Sequence, residues 1–161
     1  MLFGLALLAM LLTAISVATH ASLTSYNENA EFAALNQTTR VLLARMRREI
    51  RTAEAVNYLA QPGTLVISPP DSTGIDQIRY EHDYETRTLY YHQTIGGDTT
   101  TQVVMGGDSL VKLTSFYAHY DTVQIGEVTC TSRVVVMLDV EVDGKYYAVT
   151  FTAAPRRNQQ Y

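Results

Sequence analysis

Side chains with chemistry to offer are sparse in this chain and rarely adjacent. Cys130 is its one thiol. With His92 or His119 folded against it, it would be a nucleophile beside a base. In the strand-like run Thr129-Cys130-Thr131, a lone cysteine is more simply a small buried hydrophobe. Glu81-His82-Asp83 contains three metal-ligand types. Neighbours on a strand point to opposite faces, however, so the three do not converge, and surface polar residues are the simpler reading. Asp98 and Asp108 follow the glycine pairs Gly96-Gly97 and Gly106-Gly107. Calcium needs roughly six to eight oxygens, which are not in sight around either aspartate, so both read as turn residues. There is no G-x-S-x-G, H-E-x-x-H or phosphate-loop motif. The expectation is a protein with no catalytic residues, no metal and no cofactor.

The arginines Arg40, Arg45, Arg47, Arg48 and Arg51 would suit acidic lipid or nucleic acid. Glu49 and Glu54 interrupt them, and the same stretch carries an apolar stripe, so a solvated helix face is expected. A net charge of −4 and a pI near 5.5 speak against a nucleic-acid partner.

Two kinds of element must position these residues. The chain has 161 residues, 47% of them hydrophobic, enough for one folded core. The single cysteine excludes an intrachain disulfide framework. A mean hydropathy of −0.03 hides a strongly uneven chain. From Met1 to Asn27 there is no Asp, Glu, Lys or Arg, and Glu28 is the first formal charge. Such a stretch is long enough to cross the roughly 30 Å of a bilayer's hydrocarbon. A cleaved signal peptide would want a basic n-region and a clean A-x-A site; the first is missing, so an uncleaved anchor is expected. Beyond Glu28 the pattern turns amphipathic: Phe32, Leu35, Thr39, Leu42, Met46, Ile50 and Ala53 share one helical face. Arg45 and Glu49 are four apart and would pair weakly on the surface. Gln61-Pro62-Gly63-Thr64 has type II turn chemistry and would end the helix. One helix of roughly 85 Å, from near the N-terminus to about Tyr58, is the result, with a break allowed near Thr19–Asn29.

After Pro62 the period changes from near 3.6 to 2. Runs at 65–67, 75–84, 86–93, 102–105, 110–120, 133–142 and 145–152 read as about seven antiparallel strands. Asp143-Gly144 between the last two is a hairpin signal. The two Gly-Gly-Asp segments read as turns of one meander. The fold class is therefore α+β: one long N-terminal helix, apolar in its first half and amphipathic in its second, packed on an antiparallel β-sheet head. The divisions are 1–27 (apolar half), 28–58 (amphipathic half) and 59–161 (head).

This order of parts resembles the type IV pilin-like proteins. Three segments make it similar, more narrowly, to the J-type minor pseudopilins of type II secretion. They are the arginine-rich helix end Asn36–Ala53, the run Arg79–Tyr91 with its Gly-Gly-Asp turn and Leu110–Asp121, and the last hairpin from Arg133 into Pro155-Arg156-Arg157-Asn158. The family opens with a basic leader, a Gly cleavage site and Phe-Thr-Leu-x-Glu. Here Gly4 precedes Leu5 and the fifth position after it is Ala9, so the chain reads as starting a few residues inside the mature helix.

The resemblance implies a structural subunit of a type II secretion or pilus-like filament. Its single-pass anchor would lie in the inner membrane with the β head in the periplasm, although charge bias read literally would leave the head cytoplasmic. Its partners would be other pilins or pseudopilins, the inner membrane and exported protein. Leu5, Leu8, Leu12 and Ile15 would pack in membrane and filament, and Phe32, Leu35, Leu42, Met46 and Ile50 would pack helix on sheet. The other reading of the same residues is a single-pass anchored β domain that binds a ligand or partner at the cell envelope.

Overall fold

The computed structural model describes residues 2–59, 63–125 and 128–155. Helix α1 (Leu2–Thr52) is a single α-helix of 51 residues, about 75 Å long. It runs unbroken through Thr19–Asn29. Thr13 donates to the Met10 carbonyl (2.8 Å) and Thr24 to the His20 carbonyl (3.0 Å). These hydroxyls are thus satisfied inside the helix and make no demand on what surrounds it.

The helix ends six residues before Tyr58. Ala55–Leu59 is instead the first strand, β1. Val56, Asn57 and Tyr58 are poor helix formers, and a strand here gains a ladder with β2 (Thr64–Ser68), from Ala55 opposite Ser68 to Leu59 opposite Thr64. The Glu54 N–H donates to the Ser68 carbonyl (2.9 Å) and starts that ladder. The Gln61-Pro62-Gly63-Thr64 segment therefore joins two strands and does not end the helix; residues 60–62 lie outside the described ones.

Among the described residues, eight strands form two sheets, where the alternation suggested one. The first sheet is an antiparallel meander of β1, β2, β3 (Gln77–Asp83), β4 (Thr88–Ile95) and β5 (Asp98–Met105), with a 3₁₀ turn at Asp71–Thr73 between β2 and β3. The second is β6 (Val111–Ile125), β7 (Val128–Val142) and β8 (Lys145–Ala153). The free edge of β6 is fastened to the first sheet. The Leu113 N–H donates to the Arg87 carbonyl (3.0 Å), and the Tyr58 hydroxyl donates to the Phe116 carbonyl (2.8 Å).

The two Gly-Gly pairs do different jobs. Gly96 and Gly97 (φ 59° and 88°) make the two-residue hairpin of β4 and β5, as Asp143 and Gly144 do for β7 and β8. Positive φ at both centres is what such hairpins require. Gly106-Gly107 instead carries the chain out of the first sheet into the second. Gly106 has φ 90°, and a Cβ there would run into the Arg87 carbonyl and the Thr88 Cα, so only glycine fits this crossover.

α1 lies across both sheets with its second half. Leu35, Leu42, Met46 and Ile50 are buried against Tyr80, Leu89, Leu113, Val136, Leu138 and Phe151 in one continuous core. The observed class is α+β, a long N-terminal helix packed on antiparallel sheets.

Candidate functional site

The first surface of interest is the N-terminal half of α1. Every described side chain from Phe3 to Ala30 is exposed; Leu5 is 67% exposed, and Leu8, Leu12 and Ile15 nearly 60%. Leu5, Leu8, Leu12 and Ile15 follow steps of three and four and so share one face. By length and composition this helix can cross a membrane. Folded monomers rarely leave more than a few hundred Å² of continuous apolar surface bare, so this segment calls for lipid or other apolar helices around it.

The second is the junction of helix and head. Phe32 departs from the expected stripe: it is 54% exposed, against 0% for Met46 and Ile50. It sits where the head begins, and the Tyr147 ring is its aromatic neighbour (centroids 6.4 Å apart). Arg45 and Glu49 also depart from expectation. Their ion pair (Nε to Oε1, 3.2 Å) is partly buried between α1 and the first sheet. The buried Tyr80 hydroxyl donates to Glu49 Oε2 (2.6 Å), and the Arg45 guanidinium lies over the Tyr91 ring (3.6 Å to its centroid). Burial, then the Glu49 charge, pushes the Tyr80 phenol well above its usual range. The Tyr80 hydrogen bond and the Arg45–Tyr91 contact thus clamp the helix to β3 and β4, and the Arg45–Glu49 pair within α1 holds both groups in place. The sequence held a sign of this: Arg45 and Glu49 adjoin the buried Met46 and Ile50, and tyrosines facing a core need a partner for the hydroxyl.

Beside the clamp a groove of about 740 Å³ opens between α1 and the first sheet. Val41, Arg48 and Thr52 line the helix side, and Ile75, Ile78 and Tyr91 the sheet side. Arg40, Arg47, Arg48 and Arg51 are exposed. Arg47 also reaches over the Phe151 ring (5.8 Å).

The residues with catalytic or metal-binding chemistry are dispersed. Cys130 on β7 is half-buried, not fully buried, opposite Val123. His119 faces Asp121 (3.1 Å), and His92 Nδ1 meets the Thr101 hydroxyl (2.8 Å). Asp98 opens β5, and Asp108 lies in the turn before β6. Among the described residues, no three of His, Cys, Asp and Glu gather as a metal site.

His82 overturns the surface reading. It is buried (1% exposed), while Glu81 and Asp83 point the other way. Its Nε2 lies 3.0 Å from the Leu113 carbonyl, which can only accept, so Nε2 carries the proton. This bond is another tie between the sheets. Burial lowers the His82 pKa, partly opposed by the Leu113 bond. An unfolded histidine titrates near 6.5, so below that pH protons go preferentially to the unfolded chain and stability falls until the folded pKa is passed. The thermal midpoint should therefore drop between about pH 7 and pH 5. His82→Gln should flatten that step, leaving only what His92, shifted down by burial and by Arg79, contributes. Melting curves across this range check it; an unchanged step in the variant refutes it.

No protein-family model matches the chain, and neither a curated protein nor a solved structure matches it.

Proposed function

We propose that this protein is a structural subunit of the minor pilin or pseudopilin kind, anchored in the inner membrane and assembled with other pilin-type subunits into a filament of a type II secretion or pilus-like system. One observation carries the proposal. A single rigid helix presents an uncharged, uncovered apolar half, and its other half is clamped to a β head. Before assembly, lipid covers the apolar half; in the filament, neighbouring helices do. Packing among such helices depends on close contact, which Ala6, Ala9 and Ala14 permit. The head, on the periplasmic side, meets partner subunits or exported protein, and no reaction is required of it.

Cysteines introduced at Leu5 and Ile15 in a Cys130→Ser background should cross-link the chain to other helix-plus-sheet subunits in intact cells. Deleting the gene should impair secretion or piliation. The groove beside Arg48 favours a second reading, an anchored binding module without a filament. A chain that cross-links to no such subunit, purifies as a monodisperse anchored monomer and leaves secretion unchanged on deletion would establish that reading instead.

A further inference from the structure

The charge of this molecule is sorted along its helix axis. Residues 40–51 hold five arginines and one glutamate in a chain of net charge −4. The described arginines of the head, Arg79, Arg87 and Arg133, all have carboxylate partners, and so does Arg45 on α1. Among the described residues, Arg40, Arg47, Arg48 and Arg51 have none within 4 Å. An acid-rich protein thus leaves four exposed cations together, unneutralised by any of its own described carboxylates.

The opposite charge collects at the other end of the head. The turn Gly107–Leu110 and the Asp143-Gly144 hairpin line one groove, which Lys112 and Glu141 also enter. Arg87, at the end of the β3–β4 turn, binds Glu141 and brings Asp83 and Glu85 to the same end. Five carboxylates (Asp83, Glu85, Asp108, Glu141, Asp143) face two cations there, Arg87 and Lys112. Glu85, Asp108 and Asp143 are exposed and have no ion pair among the described residues. Lys145, next to this hairpin, pairs with Glu28 (3.1 Å), which sets the acidic end level with Glu28 on the helix. The arginines lie about 18 to 35 Å further along the axis. That is more than two Debye lengths at physiological salt, so they stand clear of lipid head groups if the apolar half spans the bilayer.

Each charged end also carries bare apolar surface. Leu110 is 70% exposed within the acidic groove. Val41, 67% exposed, lines the groove beside Arg48 together with Ile75 and Tyr91.

We infer that the arginine face of α1 docks a second copy of this chain through that copy's acidic end, with Leu110 entering the groove beside Arg48. The two copies are shifted along the helix axis by roughly 25 Å, the spacing between the patches. Such a contact joins different surfaces on the two copies, and its repetition builds an open row and not a closed dimer. Copies whose apolar halves span one bilayer lie level with one another, so the contact forms only when one copy is displaced along its axis, as it is in a filament. The inference deepens the filament reading and rests on it only for what the contact builds.

The test uses full-length chain in mild detergent, where copies are free to shift along the helix axis. Self-association of differently tagged copies is measured by co-purification and sedimentation. One variant reverses the basic face (Arg40→Glu, Arg48→Glu, Arg51→Glu), sparing Arg47 and its ring contact. The other reverses the acidic end (Glu85→Lys, Asp108→Lys). Each alone should weaken self-association at least tenfold. Mixing the two should restore it, because each then meets its complement. Circular dichroism and unchanged melting keep folding out of the result. The inference is overturned by a wild-type chain that stays monomeric in detergent at high concentration, by variants that associate as wild type does, or by folded variants that do not recover on mixing. It is also overturned if reversing the arginines spares self-association and releases a foreign acidic protein. Secretion measured in the same strains keeps the outcomes apart: lost self-association with intact secretion and intact cross-links to other pilin-type subunits leaves the proposed function standing.

Discussion

Ile50→Ala should lower the unfolding free energy of the detergent-solubilised chain by about 2–5 kcal/mol, and Met46→Ala by a similar amount. Both side chains are wholly buried where α1 crosses the two sheets. Truncation there removes buried methyl and methylene groups and leaves a cavity that a helix and two sheets cannot easily close. Phe32→Ala is the contrast. On a helical wheel it belongs to the same stripe, yet more than half of it is already in solvent, so its loss should cost less than about 1 kcal/mol. Denaturant titrations of the three variants decide the matter. A Phe32→Ala cost equal to that of Ile50→Ala would mean that the head extends further down the helix than it does here. Because Glu49 receives Tyr80 and Arg45 beside Ile50, the cost of Tyr80→Phe should simply add to that of Phe32→Ala but couple to that of Ile50→Ala, as neighbours do.

Leu8→Arg combined with Leu12→Arg should remove the chain from the membrane fraction or block its assembly. Each change replaces a favourable leucine with an arginine that costs about 2.5–3.5 kcal/mol at a helix centre on insertion scales. The pair lies four residues apart on one face, so neither side chain can snorkel without moving the other. Fractionation and carbonate extraction report insertion, and secretion reports assembly. A double variant that stays membrane-bound and secretes normally would show that this face meets neither lipid nor neighbouring helices.

The helix and its buried face were legible because apolar side chains at steps of three and four report a face directly: Leu35, Leu42, Met46 and Ile50 all lie on it. The end of the helix was less legible. Ala55–Leu59 prolongs the helix in a periodicity plot, and only its pairing with Thr64–Ser68 makes it a strand. Alternation likewise tells which side of a strand is buried but not which strand lies beside it. The division into two sheets therefore turns on Gly106, whose crossover geometry no pattern reveals. His82 was misread for a related reason: a polar residue in a strand looks solvated until the Leu113 carbonyl arrives from another sheet to receive its proton. Glu49 followed the same course. Its pairing with Arg45 was legible from spacing alone, but Tyr80, 31 residues away, decides that the pair is structural.

Because α1 has no break between the apolar segment and the clamp at Glu49, it works as a lever with its fulcrum at the end of the uncharged stretch. About 40 Å of helix separate Leu23 from Ile50. A tilt of about 10° in the apolar half would swing the head sideways by roughly 7 Å over that arm, and a turn of the apolar half about its axis would turn the head with it. A hinged anchor would absorb both motions. With no break in α1, the head is not re-aimed independently of the apolar half, so a force or rotation applied to one end of the helix is delivered to the other.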